Sequence, residues 1–103
     1  MSPRREFDFA LSDIALVYAR LDTEQGEAVS YAVVLVAEEG GELRTVRVYD
    51  NAHGQPEMHR YNYAGEKQPA ERAPGTAPSE AFNMALELIE KGFTEMIEGW
   101  RRS

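Results

Sequence analysis

The 103-residue sequence contains no cysteine, which excludes disulfides, thiolate zinc sites and cysteine nucleophiles and fits a reducing compartment. It also lacks any run of the roughly 18 apolar residues needed to span a bilayer, so no membrane span is expected. The basic residues at its start are not followed by the apolar core of a secretory signal, because Asp8 and Asp13 interrupt that stretch. A cytoplasmic location is therefore expected. No phosphate-cradling glycine loop, Gly-x-Ser-x-Gly elbow or paired-histidine helix motif occurs, and the enzyme classes built on them have no support.

What is present is ordinary globular composition, 43% hydrophobic and 28% charged, in a length suited to one domain. The net charge of -7 is unevenly spread: residues 1–5 carry +2, residues 6–41 carry -7, residues 42–72 balance, and residues 73–103 carry -2. An acidic first half repels a polyphosphate, which argues against duplex DNA as a partner. The same carboxylates could meet a basic protein partner or simply keep the domain soluble.

Hydrophobic patterning predicts an α+β fold, an antiparallel sheet of four to five strands built from hairpins and covered by one long C-terminal amphipathic helix. Ile14 to Leu21 and Ala28 to Ala37 flank a polar, glycine-containing connection, the pattern of a hairpin. The second arm is apolar on both alternating faces, which predicts a central strand packed on each side. Leu43 to Tyr49 and Glu57 to Tyr63 read as two further strands, the former alternating Arg44, Val46 and Val48 against Thr45, Arg47 and Tyr49. Phe7 to Ala10 reads as a short edge strand, and residues 1–5 as disordered. Residues 65–78, with two glycines, three prolines and few large apolar side chains, read as a long connection. From residue 79 to 101 the stripe Phe82, Ala85, Leu86, Ile89, Phe93, Met96, Ile97 and Trp100 predicts one helix that runs through Gly92 without losing phase. The long connection would let that helix pack on its own sheet or exchange with another subunit, so a homo-oligomer is one of the expected states.

The only two histidines lie six residues apart, at His53 and His59. In a hairpin of the third and fourth strands, Asp50, His53 and His59 converge, with Arg47, Glu57 and Arg60 as neighbours. Histidine exchanges protons near neutral pH. Two imidazoles, with an arginine to neutralise a developing phosphorane, suffice for metal-independent RNA cleavage. The catalytic candidates are therefore His53 and His59 as acid and base, Asp50 beside them and Arg60 as phosphate stabiliser. The competing reading is structural: Asp50 to Gly54 as a turn in which Asp and Asn bond backbone amides, and His59 as a strand residue held by a neighbour. A metal site from the two histidines with Asp50 or Glu57 has suitable ligand types but no recognised spacing, and no cofactor or metal is expected. Tyr49, Tyr61 and Tyr63 beside Arg44, Arg47 and Arg60 could stack single-stranded bases or pack across strands.

The segment Arg47-Val48-Tyr49-Asp50-Asn51-Ala52-His53-Gly54-Gln55-Pro56-Glu57-Met58-His59-Arg60 resembles the Tyr-Asp-Asn-Ala, His, Pro-Glu, His pattern of small TumE-type proteins of prokaryotic toxin-antitoxin loci. The resemblance spans about fourteen of the 103 residues, and the family's denser histidine cluster after Pro-Glu is here reduced to His59. It implies a toxin-like role with a cytosolic protein partner and draws emphasis to Asp50, His53 and His59. Two functions are thus expected: a toxin-like protein acting on RNA, or a non-catalytic module that binds a protein through the acidic hairpin or a sheet edge.

Overall fold

The computed structural model describes residues 3–103. Six strands, β1 (Arg4–Ala10), β2 (Ala15–Glu24), β3 (Glu27–Glu39), β4 (Glu42–Asp50), β5 (Glu57–Arg60) and β6 (Glu71–Arg72), precede one helix, α1 (Pro78–Arg101). The strands form a single antiparallel sheet in sequential order from β1 to β6. The α+β class with a helix-covered antiparallel sheet is as the patterning predicts; the strand count is higher. Arg4 and Arg5, read as part of a disordered leader, pair with Asp22 and Leu21, whereas residues 1 and 2 lie outside the described residues. The sixth strand comes from the segment read as a connection. It is two polar residues long, and only its backbone pairing with β5 marks it.

Residues directly opposite in an antiparallel ladder share a face, so the register sorts every side chain. On the helix side one transverse row runs Phe9, Val17, Leu35, Arg47 and Arg60, and the next runs Phe7, Ala19, Val33, Tyr49 and Met58. Val17, Val33, Leu35 and Ile89 are all but inaccessible to solvent, and the core lies between β2, β3 and β4 and the stripe Ala81, Phe82, Ala85, Ile89, Ile97 and Trp100. Gly92 lies within the unbroken helix. The opposite face carries the row Asp8, Tyr18, Val34, Val48 and His59. No second helix lies among the described residues, so β3 is covered by α1 on one side only, where packing on both sides was expected. Glu39, which accepts a 2.8 Å bond from Nε of Arg101, ties the helix end back to the sheet.

A bulge re-aims part of β4. Leu35 opposes Arg47 while Val36 opposes Thr45, which leaves Val46 as the extra residue. The predicted alternation therefore breaks at this point. Arg44 opposes Ala37 on the helix side, where its guanidinium lies 4.7 Å from the Tyr63 ring and 5.1 Å from Trp100. Of the three tyrosines considered as base-stacking residues, Tyr49 is buried, Tyr63 packs on Trp100 at 4.9 Å while 39% exposed, and Tyr61 lines a cavity beside Arg47 and Arg60.

In the core the Tyr31 hydroxyl has no hydrogen-bond partner among the described residues. A buried unpaired hydroxyl costs about 1–3 kcal/mol, so Tyr31→Phe is expected to raise stability by about 1 kcal/mol in urea unfolding. Burial first, then the charge of Asp50, pushes the Tyr31 phenol up to about 12. This group therefore adds no pH dependence to stability below the unfolded tyrosine value of about 10, and it lowers stability as pH rises from there through about 12. The Phe variant should lose less stability than wild type over that window; parallel curves would refute the assignment.

Candidate functional site

The connection from Asn51 to Pro56 closes the β4–β5 hairpin. Asn51 fastens it to β3: its side-chain oxygen accepts from the Tyr31 amide at 3.0 Å and its side-chain nitrogen donates to the Val29 carbonyl at 3.1 Å. Asp50 accepts from the Ala52 amide at 3.2 Å, and the Gly54 amide donates to the Asn51 carbonyl at 3.0 Å. Gly54 has φ +90, a conformation costly for other residues. The turn chemistry of Asp and Asn is thus present, and it positions a cluster.

Asp50 and Glu57 are directly opposite across the hairpin. Nδ1 of His53 lies 2.9 Å from Oε1 of Glu57. Nδ1 of His59 lies 3.0 Å from the Gln68 carbonyl oxygen. That oxygen can only accept, so Nδ1 of His59 carries a proton, which in the neutral ring puts the lone pair on Nε2. With Nδ1 of His53 donating to the carboxylate, Nε2 of His53 is likewise left available. The environments differ: His59 is only 7% exposed, whereas the His53 side chain is 72% exposed. Asp50, Glu57 and His59 each offer a ligand atom within 4.8 Å of the others. Two carboxylates and an imidazole oriented by a backbone carbonyl form a donor set suited to a divalent cation.

Of the sequence candidates, Asp50 and His59 come together beside Glu57, and His53 is linked to them through its bond to Glu57. Arg60 does not join them. It follows His59 on a strand, where neighbours alternate faces, and so lies on the helix side opposite Arg47, with Nε 3.3 Å from Glu71. Two cations share the row of Asp50 and Glu57: Arg20, which is paired with Asp22, and Arg72, which opposes Glu57 and has no ion pair among the described residues. Glu57 stands four residues after His53, a spacing already visible in the sequence. Gln68 and Arg72 carry no comparable signal, because the chain around them lacks periodicity.

The acidic hairpin is partly neutralised from within. Asp22 accepts from Nε of Arg4 at 2.7 Å and from the Ser30 hydroxyl at 2.8 Å, and it also pairs with Arg20. The hydrogen bonds from Arg4 and Ser30 hold its carboxyl below the usual carboxylate range.

No helix among the described residues is long and apolar enough to cross a membrane. Comparison with curated proteins and with solved structures gives no match. A family model does match, over residues 2–103, and the chain accordingly belongs to the family described as Domain of unknown function (DUF7718).

Proposed function

We propose that this protein is a toxin-like protein that acts on RNA at the cluster of Asp50, His53, Glu57 and His59. The observation that carries this reading is the pair of imidazoles, each oriented through Nδ1, His53 by Glu57 and His59 by the Gln68 carbonyl. In the proposed reaction one neutral imidazole takes the 2′-hydroxyl proton as that oxygen attacks phosphorus. The bond from phosphorus to the 5′ oxygen breaks, and the other imidazole, entering protonated, delivers a proton to the leaving oxygen. The products are a 2′,3′-cyclic phosphate and a 5′-hydroxyl. Arg72 supplies positive charge to the phosphate, and Glu57 orients His53. The resemblance of residues 47–60 to TumE-type proteins supports a toxin-like role and a cytosolic protein partner.

His53→Ala and His59→Ala are each expected to lower RNA cleavage by about 10²–10⁴-fold while leaving circular dichroism unchanged. Full activity in both variants would sink the acid-base assignment. The carboxylates Asp50 and Glu57 favour a second arrangement, in which they and His59 hold a divalent cation that engages the phosphate. Chelation distinguishes the two: cleavage that survives EDTA supports the imidazole pair, and cleavage lost to EDTA and restored by metal supports the cation.

A binding role draws on a different observation, the helix-free sheet face with Tyr18 exposed on β2. Growth arrest that both histidine variants retain would favour that role.

A further inference from the structure

The helix side of the same hairpin holds an unbalanced pair of positive charges. Arg47 and Arg60 are directly opposite across β4 and β5, where like charges repel. Arg60 has Glu71 as a partner at 3.3 Å. Arg47 has no ion pair or side-chain hydrogen bond among the described residues, and its Nε is buried without a partner. Both arginines line a cavity of about 250 Å³ between the sheet and the second half of α1, with Tyr61, Gln68 and Trp100 in its walls. Glu95 also lines it but is exposed and makes no ion pair with Arg47.

An arginine without an acid partner and two directly opposed cations at one cavity are both relieved by one event, the arrival of an oxyanion. Guanidinium groups present paired donors that match phosphate oxygens, and withdrawal from water strengthens the contact. We propose that this cavity is a binding site for phosphate or a phosphate monoester, clamped by Arg47 and Arg60. It lies across the sheet from His59 and does not depend on the proposed RNA cleavage. The bulge at Val46 belongs to its construction, since Val46 lines the cavity and Arg47 follows it.

The chain has one tryptophan, Trp100, and that residue forms part of the cavity wall. The test is titration of the full chain with inorganic phosphate and, separately, with a nucleoside 5′-monophosphate, at ionic strength matched with sodium chloride. Trp100 fluorescence and the thermal unfolding midpoint are the readouts. A saturable fluorescence change accompanied by a higher midpoint is expected, weakened at least about tenfold in Arg47→Gln. Arg60→Gln, altered at a more exposed position, provides the same test should Arg47→Gln fail to fold. His53→Ala, at an exposed residue with no contact to the cavity, should bind as wild type does, which separates this site from the proposed cleavage site. Tighter binding of the nucleotide would identify a monoester as the ligand, and equal binding would identify free phosphate. Absence of saturation with both probes, or equal saturation in both arginine variants, overturns the proposal.

Discussion

Trp100→Ala is expected to lower the free energy of unfolding by about 3–5 kcal/mol, the usual cost of truncating a buried tryptophan. Trp100 is 4% exposed, its Nε1 donates to the Asn62 carbonyl at 3.1 Å, and Tyr63 and the Arg44 guanidinium pack on its rings. Truncation therefore opens a void and strands a carbonyl, and it also loosens the segment that follows β5. Since domains of this size hold about 5–15 kcal/mol in total, the variant should show a sharply lower urea midpoint. A loss under about 1 kcal/mol would mean that the last turn of α1 contributes little to the core.

Gly75→Ala should be comparably damaging, at roughly 2–5 kcal/mol, by strain rather than by a void. Gly75 has φ +106, outside the comfortable range of a side-chain-bearing residue, and a Cβ there would lie 2.7 Å from the Ala81 Cα. Ala81 is buried in the first turns of α1. The clash cannot be relieved by a rotamer change, so either the helix start or the preceding turn must move. The same turn holds Thr76, whose amide and hydroxyl both donate to Oε1 of Glu80 at 2.8 and 3.1 Å. Ala77 at the helix boundary offers no capping side chain, so this contact takes on that role. Urea unfolding of Gly75→Ala with wild-type stability would show that the approach of Gly75 to Ala81 is not maintained in solution.

The parts of the fold that were legible in the sequence are those with a long periodic signal. The stripe from Phe82 to Trp100 marks α1 because it repeats over many turns, and the runs around Val17 and Val33 mark β2 and β3 because they exceed the length of chance alternation. β6 was not legible: Glu71 and Arg72 bury no side chain and join the sheet through backbone bonds alone. The bulge at Val46 was hidden for a related reason, since one inserted residue reverses the facing of Arg44 without altering composition. In the candidate site, Asp50, His53 and His59 could be named from residue type and hairpin proximity. The side of the sheet on which Arg60 falls required strict alternation to be applied from His59, and Arg72 required knowledge of a strand with no pattern of its own.

The edges of the sheet carry features that disfavour pairing with a further strand. β1 is rich in charge, with Arg4, Arg5, Glu6 and Asp8, and β6 is too short to template a further strand.

Every strand pairs only with its neighbours in sequence. That ordering has a kinetic consequence: each hairpin closes a short loop, so the sheet can assemble by successive zippering with little entropy lost to distant closures. During synthesis β1 to β4 leave the ribosome before α1 does, and the face bearing Val17, Val33 and Leu35 stays bare until the helix emerges. The interval before α1 docks is when the nascent chain is most prone to aggregate.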